Sequence, residues 1–192
     1  LRLDLPKFTI IGATTRYNLI SSPLRDRFGV TFRLDFYNHN ELNTIVKRSA
    51  DILTTNIAED AVVEVAGRSR GTPRIANRIL KRVRDYAQVK ADGDVTISTA
   101  HDALDLMSID KYGLDELDRK LLKVIIESYN GGPVGANTIA AALQEEVGTI
   151  EEIVEPYLMQ LGLLARTAQG RVVTDKAYQY LGLELPTDNK LF

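Results

Sequence analysis

The stretch that most constrains this chain is Ile10–Gly29, IIGATTRYNLISSPLRDRFG. An apolar run, Phe8-Thr9-Ile10-Ile11, stops at Gly12-Ala13 and gives way to two hydroxyls and a cation, Thr14-Thr15-Arg16. The pattern predicts a buried strand running out at its C-terminal edge, where open α/β sheets hold their ligands. Ser21-Ser22-Pro23 predicts a helix start with proline near its first turn. Leu24-Arg25-Asp26-Arg27-Phe28-Gly29 then predicts a very short helix, closed by glycine and carrying two arginines. A guanidinium stays charged, and its planar fork meets a phosphate bidentately. Supplied from a neighbouring subunit, it can stabilise the charge of a phosphoryl-transfer transition state. Taken alone, Arg25 and Arg27 are better read as surface ion-pair residues. The strand, its hydroxyl tip and a later Gly-Thr-Pro-Arg motif tilt the reading toward phosphate.

Composition narrows the alternatives. The 192 residues are 44% hydrophobic and 26% charged, with net charge −2, which suits one large or two small soluble domains. Without cysteine there are no disulfides, zinc–thiolate sites or thiol nucleophiles, and a reducing cytoplasm is the expected location. His39 and His101 lack a second histidine at ligand spacing, so no metal site is expected among these residues. No apolar run approaches the length of a membrane span, and no signal-peptide pattern opens the chain. The mild acidity confines any DNA contact to a local basic patch. No G-x-x-x-x-G-K-S/T motif occurs, and no acidic pair ends an apolar strand. The first residue is Leu. These features read as the C-terminal portion of a larger ATPase, one expected to be inactive by itself.

Leu1-Arg2-Leu3-Asp4-Leu5 alternates as an exposed strand does, and Val30-Thr31-Phe32-Arg33-Leu34 is a second strand candidate. Tyr37 offers a stacking face at a domain junction, or simply packs between domains. Asn40 is the expected cap of a helix holding Leu42, Ile45, Val46, Ile52 and Leu53. A second helix is expected over 59–68. Thr72-Pro73-Arg74 then starts a third, running to about Val89, with Arg74 beside an N-terminus that favours an anion. The opposite face of this helix carries Arg78, Lys81, Arg82 and Arg84. A solvated face or a subunit contact suits it better than DNA. Ser98 is the expected cap of a fourth helix.

Residues 108–113 read as a linker to a new unit. One helix runs to about Tyr129, and Gly131-Gly132-Pro133-Val134-Gly135 is a rigid turn. Asn137 or Thr138 caps a short second helix, and Thr149 caps a third that Gly162 stops. Two strands follow, flanking Ala168-Gln169-Gly170, and Asp175 begins a last helix. Three helices and a hairpin make a winged helix. Its third helix is a poor groove reader, because Glu145, Glu146, Glu151, Glu152 and Glu155 would all face a polyanion. The hairpin is the reverse: Arg166 and Arg171 flank a small tip suited to phosphates or a minor groove, without base reading.

IIGATTR followed by SSPLRDRFG resembles sensor 1 and the arginine-finger segment of AAA+ ATPases. With GTPRIANR, DRKLL, GGPVG, EPYL and RTAQGR in this order, the chain resembles the RuvB family, bacterial motors of Holliday-junction branch migration. The resemblance implies a fold class of α/β plus mainly α. Residues 1–35 form the end of the large AAA+ domain, 36–107 the helical lid and 108–192 a DNA-binding winged-helix head. It implies a homohexameric ring that hydrolyses ATP and drives duplex DNA, with RuvA and RuvC as partners and no membrane. Magnesium ligands are expected upstream of Leu1. Thr15 corresponds to sensor 1, with Thr14 its less favoured neighbour. Arg27 corresponds to the trans arginine finger, with Arg25 as runner-up. Tyr37 lies against adenine and Arg74 is sensor 2. Arg166 and Arg171 hold DNA. Other readings are an AAA+ winged-helix initiator, a clamp-loader-like ATPase, or a non-enzymatic winged-helix regulator.

Overall fold

A computed structural model of the chain describes residues 6–15 and 17–185. The chain divides after Asp35 into two compact units.

The first unit contains a 3-10 turn, Tyr17–Leu19, and the short helix α1, Ser22–Arg25, with Pro23 in its first turn. The runs 8–11 and 30–34, expected as strands, join no sheet among the described residues. Their apolar side chains stand out: Ile11 is 92% exposed and Leu34 91%. A strand needs a neighbour for its N–H and C=O groups and an opposing face for its side chains. The described residues of this unit supply neither. The strand expected at Leu1–Leu5 lies outside the described residues.

The second unit begins with four helices: α2 His39–Ile52, α3 Glu59–Gly67, α4 Pro73–Lys90 and α5 Ile97–Leu106. Each turns one aliphatic stripe inward, so that Leu42, Val65, Ile79, Leu80 and Leu104 meet in one core. A parallel bridge, Ile57 to Val95, ties the loops before α3 and α5. Two caps differ from expectation. Asn38, not Asn40, caps α2, because a reciprocal capping box with Glu41 satisfies two orphan N–H groups there. Thr96, not Ser98, caps α5 by accepting from the Thr99 amide.

The head follows. Helix α6, Glu116–Tyr129, is capped by Asp115 with Asp118 reciprocating. Helix α7, Ala136–Leu143, starts from Gly135, ahead of the expected Asn137 or Thr138. The third helix is a composite: α8 Val147–Thr149, a π segment Ile150–Val154, and α9 Glu155–Gln160. Thr149 therefore sits inside it rather than capping it. Strands β1, Leu164–Arg166, and β2, Arg171–Val173, pair antiparallel with Arg166 opposite Arg171, and α10 spans Asp175–Leu181. This is a winged helix around Leu121, Leu122, Ile125, Ile139 and Leu158.

The bundle and the head are joined by a polar seam. Arg68 donates to the Ile109 carbonyl at 2.7 Å and pairs with Glu64. Arg70, buried, donates to the Gly113 carbonyl at 2.7 Å and to Asp118 at 2.5 Å, and its guanidinium lies 5.0 Å from the Tyr157 ring centre. Burial pushes the Asp118 carboxyl up to about 6, against the pull of Arg70.

Candidate nucleotide and DNA contacts

In the first unit the hydroxyl tip and the arginine segment are brought side by side by Phe28. A Cβ on Gly12 would lie 3.4 Å from the Phe28 ring, so the ring rests on the glycine. Thr15 is exposed at this tip. The two arginines differ. Arg25 is half-buried, its guanidinium 5.3 Å from the Tyr17 ring centre. Arg27 is exposed, forms no ion pair among the described residues, and donates its backbone amide to the Leu24 carbonyl. A side chain held by a neighbouring ring reaches less freely than one without such a contact.

In the second unit Tyr37 and Arg74 belong to one place. The Tyr37 amide donates to the Gly71 carbonyl at 2.9 Å, three residues before Arg74. Thr72 stands at the N-cap of α4 in extended geometry and Pro73 occupies the first turn. The Thr72 hydroxyl donates backward to Ser69 and caps nothing, so the first N–H groups of this 18-residue helix are left without a side-chain cap. Arg74 leaves from that turn, exposed and without an ion pair among the described residues. A cation, uncapped amide donors and the positive helix end share the first turn of α4, an arrangement suited to a phosphate. The Tyr37 ring, tied to this loop through its own amide, is half-exposed and offers an apolar face.

The wing is placed by backbone contacts that the sequence does not advertise. The Gly131–Val134 turn docks on β2: Val134 and Arg171 exchange amide bonds of 3.0 and 2.8 Å, and Val173 donates to Gly131 at 2.9 Å. The approach is close enough to require glycine. A Cβ on Gly132 would lie 2.4 Å from the Arg171 carbonyl oxygen, and one on Gly170 2.6 Å from that of Val134. At the tip, the Thr167 hydroxyl donates to the Gly170 carbonyl at 2.9 Å.

This placement separates the two wing arginines. Arg166 is outward, with its side chain 57% exposed, and approaches Glu151 Oε1 only at 3.6 Å. Arg171 is turned inward and is 7% exposed. Its Nε donates to Glu155 Oε1 at 2.7 Å and its Nη2 to Glu151 Oε1 at 2.6 Å and Glu155 Oε2 at 3.2 Å. The bond to Glu155 holds the Arg171 charge more firmly than usual. Two outward wing arginines were expected. One is committed to the interior instead, because the fully buried Glu155 requires a partner. The five glutamates around the third helix carried a signal of this. Glu151 and Glu155, one helical turn apart, form an anionic seat for a guanidinium.

Three family models match successive parts of the chain. They are the Holliday junction DNA helicase RuvB P-loop domain over residues 1–34, the RuvB AAA lid domain over 37–110, and the RuvB C-terminal winged helix domain over 111–182. The Holliday junction branch migration complex subunit RuvB of Solibacter usitatus (strain Ellin6076) is 61% identical over 178 residues. The match covers 93% of this chain and 52% of that protein. The chain thus spans about half the length of this curated relative. Among solved structures, a Thermotoga maritima RuvB described as a Holliday junction branch migration motor superposes with TM-score 0.80 at 52% identity, covering 88% of this chain and 57% of that one. A point mutant of the same protein gives TM-score 0.83 at 51% identity, covering 91% and 58%. The chain belongs to the RuvB family.

Proposed function

We propose that this chain supplies the nucleotide-sensing and DNA-gripping parts of an ATP-driven motor that migrates Holliday junctions. The observation that carries the reading is Arg74, exposed and without an ion pair among the described residues, at the uncapped start of α4, whose preceding loop the Tyr37 amide holds through Gly71. In this reading Arg74 reaches the γ-phosphate of ATP from the lid, 36–107, and Tyr37 lies against the adenine. Arg27 reaches the same phosphate from the neighbouring subunit of a homohexameric ring, and Thr15 orients the attacking water. The unhindered Arg27 suits a trans role better than Arg25, which Tyr17 holds. ATP with magnesium supplies the phosphoryl group, and the chain's own part is charge stabilisation and sensing.

The head, 108–192, grips duplex DNA through Arg166 at the phosphate backbone, with Arg171 bracing the wing from within. One exposed arginine per head is a weak hold, so several heads must share the duplex. A motor that runs over any sequence is served by backbone contacts. RuvA and RuvC are the expected partners at the junction, and the cytoplasm is the expected compartment. No described helix is long and apolar enough to cross a membrane.

The test is Arg27→Ala in the full-length protein. ATP binding is expected to stay near the parent level while turnover falls by about 10³-fold or more, the scale of an arginine finger. In mixed rings, subunits with Arg27→Ala are expected to be rescued by neighbours that keep Arg27 but lack a working phosphate site. Absence of rescue refutes the trans role. Arg166→Ala is expected to weaken binding to every duplex alike and to flatten its salt dependence.

A further inference from the structure

Arg166 has a rival for the phosphate. Glu151 Oε1 lies between two guanidiniums, 2.6 Å from Arg171 Nη2 and 3.6 Å from Arg166 Nη2. Arg171 does not need both carboxylates. Glu155 meets it through two bonds and is wholly buried, so that pair neutralises itself. With one guanidinium and two carboxylates the cluster keeps a net negative charge, which Arg166 meets at Glu151, whose side chain is 38% exposed. At 3.6 Å the contact is an ion pair without hydrogen-bond geometry, loose enough to be exchanged. A DNA phosphate can bind Arg166 through two parallel bonds and so displace it. Glu151 belongs to the π segment 150–154, a helical irregularity that often marks functional positions.

We propose that Glu151 is a positioning residue that competes with the DNA backbone for Arg166, so that each head releases duplex readily between strokes. The inference rests on the reading of Arg166 as a phosphate contact. Glu151 then serves two guanidiniums, holding Arg171 by a hydrogen bond and drawing on Arg166 by charge. A motor that held every phosphate tightly would stall, and an internal anion of the same charge sign lowers the grip without removing the cation.

The experiment measures binding of the full-length protein to a fluorescently labelled random-sequence duplex. It compares the parent, Glu151→Gln, Arg166→Ala, their double variant, and Glu145→Gln as a control. Glutamine keeps an acceptor for Arg171, and Glu155 stays in place, so Glu151→Gln is expected to melt close to the parent. It is expected to lower the dissociation constant by roughly two- to fivefold, the worth of one exposed ion pair, mostly through slower release. In the Arg166→Ala background this gain is expected to vanish. Glu145, exposed and without a partner near the wing arginines, reports the effect of merely deleting a negative charge, and its smaller gain is expected to persist without Arg166. If Arg166→Ala weakens binding but Glu151→Gln gains no more than Glu145→Gln, or gains equally without Arg166, the competition is refuted and the wing contact stands. If Arg166→Ala leaves affinity and salt slope unchanged, the wing reading falls, and the competition with it.

Discussion

Helix α4 and the wing use the same side chain in opposite ways. On α4, Arg74 and Arg78 are exposed and unpaired among the described residues. In the head and its seam, Arg171 and Arg70 are buried and held by carboxylates, Arg171 by Glu155 and Arg70 by Asp118. A free guanidinium on a rigid helix can serve an incoming anion. A buried one has its anion already and serves the fold. The difference lies in what the neighbouring elements present, not in the residue type.

The comparison can be broken most forcefully at Arg171. Arg171→Ala leaves Glu155 buried without its cation, and a loss of about 3–5 kcal/mol in head stability is expected, read from urea unfolding. Replacing both partners, Arg171→Met with Glu155→Leu, is expected to recover most of it. A loss below about 1 kcal/mol for the single variant would mean that Arg171 is not structural.

Arg70→Ala is expected to cost less, about 1–3 kcal/mol, because Asp118 can take up a proton. The sign of that titration is testable. Burial raises Asp118 from 3.8 to about 6 in the folded chain, so the native state binds this proton more tightly than the unfolded one. Its contribution to stability is complete below about 3.8 and is lost as pH rises through about 6. The difference in stability between parent and Asp118→Asn is therefore expected to slope downward across that window and to be flat above it. A flat difference throughout would place Asp118 as a permanently charged partner of Arg70.

The smallest effect is expected at Arg78. Arg78→Ala should change thermal stability by less than about 0.5 kcal/mol, since no partner loses its charge. A larger loss would show that the exposed arginines of α4 are also structural, and the contrast would fail.

Much of the helical part was legible in the sequence. Apolar spacing on α2, α4 and α6 located most of the cores, although Ile52, at the end of the α2 stripe, is exposed, and Thr72-Pro73 located the start of α4. Caps were less legible, since Asn38 and Asn40, or Thr96 and Ser98, are equal in type and differ only in which one meets its amide. The apolar runs of the first unit show a different limit. Their pattern fits a strand, but a strand is a property of a pair, and the described residues hold no partner for them.

The sequence by itself determined the order of the modules, the helical stripes and the family-specific motifs, because these depend on spacing along one chain. Only the tertiary structure decided which arginine of the wing faces outward. That outcome depends on Glu151 and Glu155 arriving from a different element and on the Gly131–Val134 turn fixing the β2 backbone. Pairing across elements fixes a charge in place, and linear spacing carries little information about it.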